Sequence, residues 1–271
     1  MKRYVFMVSD GTGITAENLG NSLISQFGNI EFEKKIIPYI DSVEKANNVV
    51  KTINTCYIES GIKPLLFITL INPEIVKTIT QAKAAIFDLF STFLQPLEQE
   101  LNAKSSYTVG QAHGVSNIQS YAERIDAIDY ALLYDDGIKA GDYDRADIIL
   151  IGVSRSGKTP SCIYMALHFG VLAANYPFTE EDLLHFKLPA VLKPYKHKLF
   201  GLTIDTERLR QIRNERRPNS RYSSLEQCKL EIAEVEAMYR HEKIPYLNST
   251  RFSIEEIATK IIATAGIQRK F

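Results

Sequence analysis

The sequence predicts an α/β protein in two halves. An N-terminal Rossmann-like α/β half covers residues 1–140, and a P-loop-containing, kinase-like α/β half covers residues 141–271. Three observations carry that reading. Short apolar runs alternate with amphipathic stretches almost throughout, as strands and helices do when layered around largely parallel sheets. Two of those runs lead straight into glycine-bearing loops that open helices, Ser9-Asp10-Gly11-Thr12-Gly13 and Gly152-Val153-Ser154-Arg155-Ser156-Gly157-Lys158-Thr159. A polar turn at 137–145 separates the halves.

Residues 4–8 form the first strand, and 15–27 a helix with Leu19, Leu23 and Ile24 on one face. A second strand covers 33–39, and a helix over 43–60 stops at Gly61. Residues 64–70 form a third strand, followed by a helix from Pro73. A strand-like run at 86–90 precedes a helix over 92–103. The stretch 120–134 places Ile125, Ile128, Ala131 and Leu132 at helical spacing and ends at Asp135-Asp136-Gly137.

The second half continues in the same style. A strand from Ala146 to Ile151 enters the glycine loop, and a helix covers 161–170. Strands follow at 173–176, 198–204 and 245–248. Helices open at Thr179, cover 207–216 and 224–241, and close the chain at 254–265. Ser253 and Glu256 have capping-box spacing at the start of that last helix, and Gly266 ends it. No internal repeat is visible.

The 271 residues carry 32 basic and 32 acidic side chains, so no global charge draws the protein to nucleic acid or to an anionic membrane. Cys56, Cys162 and Cys228 lack C-x-x-C spacing, which argues against a disulfide framework or zinc site and suits a reducing cytoplasm. The N-terminal apolar run is too short for a signal peptide and reads as a strand. No stretch is long and apolar enough to span a bilayer.

Gly152 to Thr159 match G-x-x-x-x-G-K-[ST], the phosphate-binding P-loop. Glycine allows the tight turn, so the backbone N–H groups of Gly152, Val153, Ser154, Arg155, Ser156 and Gly157 can cradle phosphate oxygens. Lys158 reaches the distal phosphates, and the Thr159 hydroxyl holds Mg²⁺. Pro160 suits a first helical turn, where no N–H is needed. Arg155 adds charge for the transferring group.

The magnesium also calls for a carboxylate at a strand end. Asp205 offers one, and it equally suits the cap of the following helix. Arg208, Arg210, Arg213, Arg216, Arg217 and Arg221 crowd one segment. They fit phosphate or an acidic partner, with Arg216, Arg217 and Arg221 foremost, or a solvated face paired with Glu207 and Glu215. Residues 9–13 fit a second anion site or a plain β–α turn. His113 fits a general base, a phosphate ligand or a hydrogen-bonding loop residue, and Asp135-Asp136-Gly137 a metal site or a helix-ending turn.

Beyond the P-loop, several separated motifs resemble the bacterial phosphoenolpyruvate synthase regulatory proteins, relatives of the pyruvate, phosphate dikinase regulatory proteins. They are Ser9-Asp10-Gly11-Thr12-Gly13-Ile14-Thr15-Ala16-Glu17, Arg124-Ile125-Asp126-Ala127-Ile128-Asp129 and Asp135-Asp136-Gly137. Ala173-Ala174-Asn175-Tyr176-Pro177, Lys198-Leu199-Phe200-Gly201-Leu202-Thr203-Ile204, Asn219-Ser220-Arg221-Tyr222 and Asn248-Ser249-Thr250 continue the likeness in order. It departs at Tyr134, where the resemblance implies a histidine.

The resemblance implies a bifunctional enzyme that transfers a phosphoryl group from ADP to a threonine of phosphoenolpyruvate synthase (pyruvate, water dikinase). It also implies reversal by phosphorolysis, with inorganic phosphate attacking and pyrophosphate leaving. Both reactions align two adjacent phosphoryl groups, so a single P-loop with Lys158 can serve both. A homodimer is compatible with a large target. A small-molecule kinase and a non-catalytic nucleotide sensor are the competing readings of the P-loop itself.

Overall fold

The computed structural model describes residues 2–108, 118–135, 137, 143–183 and 187–270. By contact, the chain divides into two units, Met1–Gly114 and Val115–Phe271.

The first unit holds a parallel sheet in the order β2-β1-β3-β4, built from β1 Lys2–Ser9, β2 Glu31–Ile37, β3 Leu65–Thr69 and β4 Ala85–Asp88. Helices α1 Ile14–Ile24, α2 Val43–Ser60, α3 Pro73–Ile79 and α4 Leu89–Leu101 cover it. The period-2 alternation of β1 shows how. Val5 and Met7 pack with Ala16 and Ile24 of α1 and Leu89 of α4. Phe6 and Val8 pack with Val49 and Ile53 of α2 and Ile75 and Ile79 of α3. Central strands buried on both faces read as continuous apolar runs for this reason.

The second unit repeats the arrangement. Its parallel sheet runs β6-β5-β7-β8, from β5 Ile148–Gly152, β6 Ala173–Pro177, β7 Leu199–Thr203 and β8 Tyr246–Asn248. Ile148 and Leu150 face α5 Ile118–Leu133, α6 Lys158–Phe169 and α10 Ile254–Ala265. Ile149 and Ile151 face α8 Thr206–Arg216 and α9 Leu225–Glu242. A short helix, α7 Glu180–Leu183, and a 3-10 segment, Ala190–Lys198, fill the connection between β6 and β7.

Both sheets place their second strand beside the first and their third on the other side, so strand order reverses between β1 and β3 and between β5 and β7. Ligand crevices of doubly wound sheets open at such a point, at the carboxyl ends of the strands. Both glycine loops leave there. The sequence shows no repeat, yet the topology is duplicated, because a parallel sheet requires apolar runs and crossovers rather than particular side chains.

Element bounds differ from the sequence reading where a cap decides them. α4 begins at Leu89 instead of residue 92 because the Asp88 side chain accepts from the Ser91 N–H at 2.9 Å. α6 begins at Lys158, inside the motif, with Gly157 at φ 93° as its N-cap. The capping box of Ser253 and Glu256 forms as expected. The division at 114/115 falls before the expected 140/141. α5 buries Ala127 and Ala131 among β5, α6 and α10, and Tyr130 among the α9-side core, so it belongs with the second unit.

Tyr239 of α9 ties the end of β5 to β7. Fully buried, it donates to the Ile151 and Leu202 carbonyls at 3.0 and 3.3 Å. A Cβ on Gly201 would lie 2.6 to 2.9 Å from its ring. Gly201→Ala is therefore expected to destabilise the fold by about 1–3 kcal/mol through overpacking. Urea unfolding measures this, and an unchanged midpoint would show that the ring is free to yield.

Candidate active site

The loop between β5 and α6 is shaped by contacts at both ends. Any side chain at Gly152 would collide with the Leu202 carbonyl. Gly157 takes a left-handed conformation, and Arg155, a non-glycine residue, does so too, at φ 76°. The loop carbonyls are held by donors. Phe178 N–H bonds the Gly152 carbonyl at 3.0 Å, and Lys158 Nζ bonds that of Val153 at 2.8 Å. Arg213 Nη2 bonds the Ser154 carbonyl at 3.2 Å, and Ser249 Oγ that of Ser156 at 2.9 Å.

In a planar trans peptide a carbonyl and the next N–H point in opposite directions. Holding the Ser154 and Ser156 carbonyls onto Arg213 and Ser249 therefore turns the Arg155 and Gly157 N–H groups the other way. Gly157 also lacks a side-chain cap at the start of α6, which leaves the first-turn N–H groups and the positive end of the helix dipole at the loop. A backbone arranged in this way can receive an anion, and Lys158, a buried residue, holds its ammonium on the Val153 carbonyl beside it.

Thr159 belongs to a second cluster. Its Oγ1 donates to Asp135 Oδ1 at 2.8 Å, and the Asn175 amide donates to both Asp135 and Thr159, the latter at 3.0 Å. Asp135 follows the C-terminus of α5, and Asn175, almost fully buried, lies in β6. Cys162, one turn along α6 from Thr159, donates to the Ala174 carbonyl. Burial pushes its thiol well above the usual range, with the Asp135 charge adding to this, so it stays a neutral packing group.

Asp205 follows β7. It is the exposed N-cap of α8, and its Oδ1 accepts from the Glu207 and Arg208 N–H groups at 3.0 and 3.2 Å. Of the two roles open to it in the sequence, the structure displays the cap. The carboxylate bonded to Thr159 is that of Asp135, whose alternative as a helix-ending turn masked it. The only sequence signal for it was the pair of acids before Gly137.

The six arginines do not act as one group. Arg213 is fully buried and paired with Glu231, and Arg210 is paired with Glu207 on the surface. Arg221 stands 3.5 Å from Glu180, while Arg208, Arg216 and Arg217 are exposed. In the first unit, residues 9–13 line a cavity of about 230 Å³ with Thr69, Phe90 and Tyr107. Asp10 there accepts from the Ile71 N–H at 2.8 Å, and burial raises its pKa. His113 and Asp136 lie outside the described residues.

Known proteins match this chain along its length. The pattern of the kinase/pyrophosphorylase family matches residues 5–262. A protein of Legionella pneumophila (strain Corby) is 69% identical over 270 residues, covering 100% of both chains. One from Marinobacter nauticus is 57% identical over 99% of both, and one from Pseudomonas fluorescens 55% over 100% of both. All three carry the name "putative phosphoenolpyruvate synthase regulatory protein".

If Asp205 serves α8 as its cap, Asp205→Ala is expected to lower unfolding free energy by about 1 kcal/mol. Denaturant titration checks this, and wild-type stability in the variant would remove the capping role.

Proposed function

The chain belongs to the kinase/pyrophosphorylase family, and from that premise we propose that it is a bifunctional regulator of phosphoenolpyruvate synthase (pyruvate, water dikinase). In the inactivating direction a target threonine hydroxyl attacks the terminal phosphorus of ADP. The new Oγ–P bond forms, the bond to the bridging oxygen breaks, AMP leaves and the hydroxyl proton is lost. In the reactivating direction an oxygen of inorganic phosphate attacks the phosphothreonine phosphorus. The bond to the threonine oxygen breaks, that oxygen regains a proton, and pyrophosphate leaves.

The observation that supports one site for both directions is the backbone cradle. Each reaction holds two phosphoryl groups in line, and the peptide N–H groups of Arg155 and Gly157 recognise phosphate oxygens regardless of what they are attached to. Lys158 would leave its Val153 carbonyl for the phosphates, exchanging a neutral acceptor for a charged one. Arg155, exposed at the loop, supplies further charge.

The Thr159 hydroxyl and Asp135 carboxylate, already 2.8 Å apart, are hard oxygen donors of the kind Mg²⁺ takes together with substrate phosphates. When bound there, the ion neutralises charge on the phosphoryl oxygens. Asn175 fixes both donors from the strand side. The relatives' names support the choice of target; the loop supports the phosphoryl chemistry.

Incubation with phosphoenolpyruvate synthase and labelled ADP or ATP tests the reading. Label on a target threonine from ADP alone is expected. Label on a small metabolite would make the protein a metabolite kinase, and binding without transfer would make it a sensor. Lys158→Ala should lower both activities by about a hundredfold or more, as loss of a transition-state donor does, while the protein stays folded. Thr159→Ala should impair phosphorylation and pyrophosphate release together. A variant that loses one reaction and keeps the other at wild-type rate would require two sites.

A further inference from the structure

Among the described residues Arg213 is the largest of the fully buried side chains, and it carries a charge. Its guanidinium forms a fork with Glu231, Nη2 to Oε2 at 2.6 Å and Nη1 to Oε1 at 3.2 Å. Gln227 holds the same carboxylate from one turn earlier on α9, at 3.0 Å. Burial alone would lower the arginine pKa, but the hydrogen bond and charge of Glu231 outweigh it and leave the pKa raised. The guanidinium has donors left over. Nη1 also reaches the Tyr222 carbonyl at 3.2 Å, and Nη2 reaches the Ser154 carbonyl. The Tyr222 ring lies 4.2 Å from the guanidinium carbon, and its hydroxyl meets Ser154 Oγ at 3.1 Å.

Ser154 is thus gripped by its carbonyl and by its side chain, from two elements of the same clamp. A buried ion pair is a poor way to gain stability, since apolar groups of equal volume often serve as well. What apolar groups cannot do is hold a carbonyl. The next residue is Arg155, whose left-handed conformation costs a non-glycine residue energy and persists only where neighbours impose it.

We infer that Arg213, seated by Glu231 and Tyr222, is a positioning residue that holds the Ser154–Arg155 peptide so that the Arg155 N–H faces phosphate. It touches no reacting atom. It acts through the loop and rests on the reading of that loop as the ADP and phosphate site. Without the fork, the Ser154 carbonyl loses its partner, Arg155 relaxes toward ordinary φ, and the N–H turns from the cradle. Because ADP and inorganic phosphate share that N–H, both suffer alike.

The test is calorimetric titration of the folded full-length protein with ADP and, separately, with inorganic phosphate, well below the melting temperature. Arg213→Lys keeps the charge and loses the fork, and is expected to weaken both ligands by a common factor of about ten to a hundred, the worth of a charged hydrogen bond. Tyr222→Phe keeps the ring on Arg213 and removes only the bond to Ser154 Oγ. It should weaken both ligands several-fold with its melting temperature unchanged, which a merely structural role would not do, and it decides the matter if Arg213→Lys does not fold. Wild-type affinities in Tyr222→Phe and in folded Arg213→Lys, beside a wild-type protein that binds both ligands, would overturn the inference alone. A wild-type protein that binds neither would overturn the reading of the loop and the inference with it.

Discussion

The site depends on the direction of a few peptide planes. In the proposed function the chain between β5 and α6 presents N–H groups to an anion, which requires its carbonyls to have partners on the other side. Those partners come from across the second unit: Phe178 after β6, Arg213 on α8, and Ser249 after β8. Tyr239 on α9 holds the strand that precedes the loop. A buried carbonyl without a donor would cost about as much as a lost hydrogen bond, so the surrounding elements fix the loop more firmly than its own sequence does. Gly152 and Gly157 permit the path, and the donors select it.

This division explains what the sequence could reveal. The loop, Lys158 and Thr159 were legible because the motif's spacing is local: strand, tight turn and helix start lie within a dozen residues. The strands were legible because β1, β3, β5 and β7 are buried on both faces and must be apolar. Partners that meet only in the folded chain were not. Asp135 reaches Thr159 from 24 residues upstream, and Asn175 completes the cluster from a neighbouring strand. Asp205 stood at the right kind of strand end and caps a helix there.

Arg213 illustrates the same limit from another side. Six arginines within fourteen positions look alike as charges. Helical period separates them, since Arg213 follows Leu209 by four residues and shares its buried side of α8, whereas Arg216 and Arg217 are exposed. Glu231 stands likewise between Cys228 and Val235 on the buried side of α9. Two opposite charges on the apolar sides of two helices are the signal that a pair is buried between them. The α5 helix was legible as a helix, but its membership in the second unit depended on Ala127 and Ala131 finding the core around β5.

In the proposed function one backbone cradle receives both ADP and inorganic phosphate. The most direct measurement is the amide NMR spectrum of the isotope-labelled protein, titrated with inorganic phosphate and then with ADP. The Arg155 and Gly157 amides should move with phosphate, move again with ADP, and lose their phosphate-bound positions as ADP displaces it. Phosphate that shifts the amides of residues 9–13 and leaves Arg155 and Gly157 unmoved would contradict a shared site.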